Sequence, residues 1–142
     1  MPSAEGHITA ELVLGLGCER NTAPEEVIAL AEKALADAGA SGRDVALVAS
    51  LDARTDEPAI HAVARHFSVP THFFDAATLE AQSSRLKNPS KVVFAHTGCH
   101  GVAEGAALAA ARCDAVLLVP KIRSVRATAA IAGPADYAKG AV

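Results

Sequence analysis

The sequence predicts an α/β fold: a single three-layer α/β/α sandwich around a mostly parallel sheet of about five or six strands. The length of 142 residues and a hydrophobic content of 51% suit one domain with an apolar core. Short apolar β-type runs alternate with Ala-rich segments of helical periodicity, which is the pattern of βαβ units. No repeat or linker divides the chain, so we expect one domain over residues 1–142, with its core at about 11–132.

The first strand and the first helix have clear signals. Residues 11–17 are almost continuously apolar, as expected for a strand that is covered on both faces. Thr22 and Glu25 have the spacing of a capping box, and Pro24 lies in the first turn. Apolar positions then recur on one helical face until Gly39, so a helix is predicted between these signals.

The same alternation continues through the middle of the chain. Residues 45–51 are the predicted second strand, and the Asp-Glu-Pro sequence at 56–58 opens a helix, with two carboxylates at its positive end. Residues 71–74 are the predicted third strand. Asp75 is the expected N-cap of a brief helix that ends before Asn88.

The last part of the chain completes the predicted sheet. Residues 91–95 (KVVFA) are the predicted fourth strand, and residues 98–101 lead into an Ala-rich helix through about residue 111. Residues 115–119 and 127–132 are the predicted fifth and sixth strands. Their connection is too short for a helix, so we expect a hairpin, which would make the sheet mixed.

The charge balance and the cysteines narrow the classes of partner. Lys and Arg number 13 and Asp and Glu 16, a net charge of -3, whereas nucleic-acid binders usually carry a basic excess. No apolar run approaches the roughly 20 residues that cross a bilayer, and residues 1–16 lack a signal-peptide pattern. Three widely spaced cysteines fit reduced thiols. We therefore expect a cytoplasmic protein that binds neither nucleic acid nor membranes.

Ligands of open α/β sheets gather at the carboxyl ends of the strands. Four segments of this chain are expected there: residues 15–22, 52–57, 96–101 and 121–126. In the first segment, Arg20 stands where the dinucleotide fingerprint needs a third glycine, and the Walker A spacing is absent. This segment is either a tight turn or a carboxylate site, in which backbone N–H groups at the helix start act together with Arg20 and Asn21.

Two other clusters contain residue types that carry chemistry. His96, Cys99 and His100 lack the two ligand pairs of structural zinc, and no base partner for a cysteine nucleophile is evident, so we expect no metal and no cofactor. Lys121 and Arg123 belong to the densest positive stretch and share a face if the chain is extended there. A solvated rim is the plain alternative for these cations.

The motifs together resemble a family of cobalamin biosynthesis, the one that contains CobE and the C-terminal domain of CbiG. The resemblance covers about residues 12–132 and rests on the order of these segments: GLGCERNT at 15–22, SLDARTDEP at 50–58, Gly98–Gly101 with Val-Ala-Glu after it, Lys121, and TAAIA at 128–132. CbiG proteins carry an additional N-terminal domain for which this chain has no room, so we expect the stand-alone form.

The resemblance implies a role in corrin-ring assembly, in the oxygen-dependent route and around the methylated precorrin intermediates. CbiG-type proteins are associated with opening a lactone and losing a two-carbon fragment as acetaldehyde. For the stand-alone form we favour binding and handing on a labile corrinoid intermediate. Such a ligand is a flat apolar macrocycle edged with carboxylates, so its host needs an apolar wall and a rim of basic or N–H donors.

The expected ligand-binding residues are those that supply these donors or line the cleft: Gly15, Gly17, Cys18, Arg20, Asn21, Thr22, Arg54, Thr97, Gly98, Val102, Lys121 and Arg123. Two alternatives remain open. One is a precorrin hydrolase or lyase with Asp52, Glu57 or Glu104 as acid–base groups, although helix capping is the commoner role of such carboxylates. The other is an assembly factor that contacts neighbouring corrin-pathway enzymes.

Overall fold

A computed structural model describes residues 11–137 and shows a five-stranded sheet in the order β3-β2-β1-β5-β4. The strands are β1 (Leu12–Cys18), β2 (Val45–Leu51), β3 (Thr71–Phe74), β4 (Val116–Arg123) and β5 (Ala127–Gly133). The α-helices are α1 (Pro24–Asp37), α2 (Pro58–Phe67), α3 (Ala76–Glu80), α4 (Lys91–Thr97) and α5 (Val102–Ala110). No helix in this range is long and apolar enough to cross a bilayer.

The sheet is mixed, and four of its strands share one direction. β1, β2 and β3 pair in parallel, whereas β5 is antiparallel to both of its neighbours, β1 and β4. The predicted hairpin of the last two strands is therefore confirmed. Because β4 runs in the same direction as β1, the carboxyl ends of β1, β2, β3 and β4 lie at one edge of the sheet, which we call the carboxyl edge.

Helices cover both faces of the sheet, as a three-layer sandwich requires. On one face, α1 and α2 pack their apolar residues against Leu12, Leu14 and Leu16 of β1. On the other face, α5 crosses β1 so closely that a Cβ on Gly15 would stand 2.7 Å from the backbone nitrogen of Ala107. Small residues in β1 and α5 thus bring the start of α5 to the carboxyl edge.

The predicted fourth strand over residues 91–95 is wrong, because this segment forms helix α4. The Ser90 side chain caps the helix by accepting a hydrogen bond from the Val93 N–H at 3.2 Å, and Gly98 ends it in the left-handed conformation. None of the residues of α4 is buried. Its apolar sequence therefore reflects an exposed helix and not a strand covered on two faces.

Two further expectations need correction at the carboxyl edge. The Thr22 hydroxyl donates to the Glu19 carbonyl at 2.6 Å instead of capping α1, which begins after Ala23 with Pro24 at its first position and no side-chain cap. The strand β4 continues through Lys121 and Arg123, which the sequence placed in a loop after the strand. These two cations therefore belong to an extended segment.

Candidate functional site

Two polar contacts join the loop after β1 to the segment after β2 at the carboxyl edge. The Arg54 Nε donates to the Cys18 carbonyl at 2.7 Å, and the Asn21 N–H donates to the Glu57 carboxylate at 3.1 Å. Asn21 adopts a positive φ of 63°, which turns its N–H toward that carboxylate. The structure thus brings together the Arg20–Asn21 turn, Arg54 and Glu57, as the predicted convergence of loops requires.

The Cys18 thiol lies inside this cluster. Burial raises its pKa above the ordinary value, the negative charge of Glu57 adds to the rise, and the Arg54 guanidinium opposes it. A thiol with a raised pKa stays protonated at neutral pH and is a poor nucleophile. Cys18 therefore contributes a small, half-buried surface at the edge rather than a reactive sulfur.

The Glu104 side chain connects the segments that form the other half of the carboxyl edge. Its side chain is 1% exposed, and its carboxylate accepts hydrogen bonds from the N–H groups of Lys87, Asn88 and Lys121 and from the Asn88 amide, at 2.8–3.0 Å. Burial alone would raise the pKa of Glu104, but these donors outweigh it and hold the pKa below its usual range. The ionised carboxylate fastens residues 87–88 and β4 to the first turn of α5.

The N-terminal end of α5 lies close to the carboxyl end of β1. A Cβ on Gly17 would approach the Val102 side chain at 3.3 Å and the Thr128 hydroxyl at 2.9 Å. Thr128 pairs with Gly17 on one side and with Arg123 of β4 on the other. No side chain of the described residues caps the helix at Gly101, so the backbone N–H groups of its first turn form a positive end next to Lys121 and Arg123.

The segment over residues 96–101 lies at the carboxyl edge, but it follows a helix and not the predicted fourth strand. It follows α4 and ends at Gly101, where α5 begins. The Thr97 hydroxyl donates to the Val93 carbonyl at 2.7 Å, and Cys99 is fully buried. His96 and His100 point to different partners, because the His96 ring contacts the Val92 carbonyl at 2.9 Å and the His100 ring contacts Glu80 at 2.7 Å.

The expected ligand-binding residues fall into three groups. Arg20, Arg123 and Gly98 are exposed, and Cys18, Arg54, Thr97, Val102 and Lys121 are half-buried. Asn21 is exposed, but its N–H is bound to Glu57. Gly15 lies beneath α5, Gly17 is covered by Val102, and the Thr22 hydroxyl is engaged by Glu19, so these three shape the edge rather than face solvent. The acid–base candidate Asp52 is exposed, whereas Glu57 is buried.

A separate cavity of about 810 Å³ opens at the opposite edge of the sheet. It lies between the start of β1, the end of α5 and the residues after β5, and it is bordered by Glu11, Leu47, Ala111, Arg112 and Asp136. None of the expected ligand-binding residues lines it. The sequence contained no signal for this cavity, because its walls are mostly small apolar residues typical of any core.

A family model described as Cobalamin synthesis G C-terminus matches residues 12–132, which run from the first residue of β1 to Ala132 in β5. The chain belongs to this family. The family resemblance inferred from the sequence motifs is therefore confirmed, and the chain is a cobalamin biosynthesis protein of this family. The matched residues include all of the sheet except Gly133, the last residue of β5, and all the segments at the carboxyl edge.

Individual members of the family differ in how much of their length this chain matches. Protein CobE from Sinorhizobium sp is 71% identical over 126 residues, which are 89% of this chain and 82% of that protein. A crystal structure of CobE, a protein from the cobalamin (vitamin B12) biosynthetic pathway, is similar with a TM-score of 0.81 and 38% identity, covering 87% of this chain and 89% of that one. Cobalt-precorrin-5A hydrolase from Priestia megaterium is 32% identical over 78% of this chain but over only 29% of its own length.

Proposed function

We propose that this family member binds a precorrin or related corrinoid intermediate at the carboxyl edge and hands it on in the oxygen-dependent corrin pathway. The ligand class is a macrocycle with an apolar face and carboxylates around its rim. The cationic side chains of Arg20, Arg54, Lys121 and Arg123, together with the uncapped start of α5, would bind these carboxylates. Val102 would line the apolar part of the site.

The observation that carries the proposal is the difference between the cations and the buried acids of the carboxyl edge. Arg20 and Arg123 are exposed, and Arg54 and Lys121 are half-buried. The two buried carboxylates, Glu57 and Glu104, already accept hydrogen bonds from backbone N–H groups. The pKa of Glu104 is also held low, so it keeps its charge instead of donating a proton. An edge with accessible cations, whose two buried carboxylates are already occupied, suits binding of a polyacid better than acid–base chemistry at those two residues.

Titration with cobyrinic acid, a corrin that carries several carboxylates, tests the proposal. The purified protein should give a saturable absorbance change that weakens with added salt. Lys121→Ala should weaken binding by about tenfold, since a shielded charge-assisted contact contributes roughly 1.5–3 kcal/mol. Lys33→Ala is the matched control, because Lys33 lies on α1 and pairs with Asp37.

Two results would overturn the proposal. The first is an absence of binding at high micromolar cobyrinic acid. The second is an affinity equal to that of Lys33→Ala when Arg20, Arg54, Lys121 and Arg123 are all replaced by Ala, which would show that no cation of the carboxyl edge contacts the ligand. Co-purification with other corrin-pathway enzymes that survives Lys121→Ala would instead favour the assembly-factor alternative.

The second candidate function is a hydrolase or lyase that opens a precorrin lactone with loss of a two-carbon fragment. The likeness to the Priestia megaterium hydrolase favours it, although this chain spans less than a third of that protein. Asp52 is the exposed carboxylate among its acid–base candidates. Release of acetaldehyde from the lactone substrate, abolished in Asp52→Asn and retained in the distant variant Asp114→Asn, would establish the hydrolase in place of the carrier.

A further inference from the structure

Helix α4 presents large apolar side chains to solvent. None of its residues is buried, and Val92 and Phe94 are 69% and 43% exposed. In a chain with only 4 Phe, 1 Tyr and no Trp, an exposed Phe at the edge of the sheet is a notable source of binding surface.

The position of α4 is fixed over the start of α5. At one end, the Ser90 N–H donates to the His100 carbonyl at 2.8 Å. At the other end, a Cβ on Gly98 would lie 3.3 Å from the Ala76 Cβ at the beginning of α3. Because His100 immediately precedes the N-cap of α5, the helix that carries Phe94 lies beside the positive end of α5.

The Phe94 ring lies flat against the His100 ring, which is itself held in place by Glu80. Phe94 stacks on His100 with the ring centroids 4.4 Å apart and the planes inclined by 20°. The Glu80 carboxylate binds His100 twice, accepting from its backbone N–H at 2.8 Å and contacting ring Nδ1 at 2.7 Å. The backbone N–H of His100 also lowers the pKa of Glu80, so the carboxylate stays ionised and keeps the ring in place.

The cationic rim, which consists of Arg20, Arg54, Lys121 and Arg123 at the carboxyl edge, adjoins this aromatic pair at Lys121 through Glu104. The carboxylate of Glu104 binds the N–H groups of Lys87 and Asn88, just before α4, and the N–H of Lys121 in β4. The same carboxylate in the first turn of α5 thus holds the segment that leads into α4 and the backbone of Lys121, one of the rim cations. This arrangement matches a ligand with a flat apolar centre and an anionic edge.

We propose that Phe94, braced by His100, is the surface on which the apolar face of the macrocycle stacks while the rim binds its carboxylates. This inference rests on the proposed function. Stacking on Phe94 would let the protein bind a flat polyacid more tightly than a flexible one. The remaining ring face of Phe94 offers an aromatic contact whose geometry is set before the ligand arrives. Preorganisation of this kind lowers the ordering cost of binding.

Fluorescence titration with uroporphyrin I, a flat tetrapyrrole with acetate and propionate groups, tests the inference. Phe94→Ala should weaken binding about tenfold, the fold-change that corresponds to about 1.4 kcal/mol of lost stacking. Phe94→Tyr should bind like the wild type, because it keeps the ring. Val116→Ala is the matched control, since Val116 is also a partly exposed apolar residue, at 39%, and lies at the start of β4, away from the carboxyl edge.

The outcomes separate this inference from the proposed function. If the wild type binds cobyrinic acid and uroporphyrin, but Phe94→Ala binds both as tightly as Val116→Ala does, the stacking role is overturned and the carrier proposal stands. If the wild type binds neither compound, the carrier proposal fails and the inference with it. Should Phe94→Ala fail to fold by circular dichroism, His100→Gln decides: removing the brace should weaken uroporphyrin binding several-fold, and unchanged affinity would refute the inference.

Discussion

Replacing Glu104 with Gln tests how much the charge of this buried carboxylate, at the start of α5, stabilises the fold. The substitution keeps the size of the side chain but exchanges one carboxylate oxygen for an NH₂ group. In the wild type each oxygen accepts two hydrogen bonds, one oxygen from the N–H groups of Lys87 and Asn88 and the other from Lys121 N–H and the Asn88 amide. In the variant, the new NH₂ group must face donors on one of the two sides.

The expected loss of stability follows from that count. Two of the four bonds are lost, and hydrogen bonds to charged groups contribute about 1.5–3 kcal/mol each. Rotation of the Asn88 amide restores one partner, so we expect a net loss of about 2–3 kcal/mol in the free energy of unfolding. Urea unfolding at pH 7 measures it, with Asp114→Asn as the control, because the ion pair of Asp114 with Arg112 is solvent-exposed and long at 3.7 Å.

The pH dependence of the free energy of unfolding provides an independent check on the stabilisation by Glu104. The pKa of Glu104 is lowered in the folded protein, so its stabilisation is complete above the ordinary value of 4.5 and is lost as the pH falls through the folded-state pKa. The difference between the wild type and Glu104→Gln should therefore be constant near neutrality and shrink in acid. A difference below about 0.5 kcal/mol at pH 7, or one that does not change on acidification, would refute the interpretation of Glu104 as a charged structural anchor.

Three further predictions each concern a particular residue and can be measured separately. Gly15→Ala should destabilise the protein by more than about 3 kcal/mol in urea unfolding, because the added Cβ meets the backbone of α5 and not a movable side chain. Tyr137 should titrate near pH 12 by ultraviolet absorbance, since burial and the Asp44 carboxylate raise its pKa to about 12. Its hydrogen bond with Asp44 at 2.9 Å should stabilise the fold below pH 10 and be lost as the pH rises through the folded pKa, and Tyr137→Phe should remove this dependence. Iodoacetamide at pH 8 should label the exposed Cys113 well before Cys18, whose pKa is raised by burial.

The layers of the fold could be predicted from hydrophobic periodicity because each buried element leaves a local pattern. The runs at 11–17 and 45–51 are apolar on both faces, and the structure places these strands near the middle of the sheet under α1, α2 and α5. The hairpin of the last two strands followed from the length of their connection alone. Burial and loop length are local properties, so they are visible in the sequence.

Helix α4 is the element for which the hydrophobic pattern led to a wrong prediction. Lys91 to Thr97 has the β-branched and aromatic composition of a strand, but the decisive signals are Ser90 and Gly98 at its ends, an N-cap and a left-handed stop. The error arises from treating apolar residues as buried ones. In this segment Val92 and Phe94 are exposed, and a side chain that faces solvent carries no information about packing.

The convergence of the loops after β1 and β2 at the candidate site was predictable, but the roles of its acids were not. The loops after β1 and β2 could be placed at one edge from the parallel arrangement of those strands, and the Arg54–Cys18 contact at 2.7 Å agrees with that placement. Glu104, however, has the sequence position of either an acid–base group or a helix-end carboxylate. The choice depends on donors from residues 87, 88 and 121, which are 16 or 17 positions away. Three of the four donors are backbone N–H groups, which every residue except proline carries, so residue type could not have marked them. Only the folded arrangement shows that this carboxylate is already occupied.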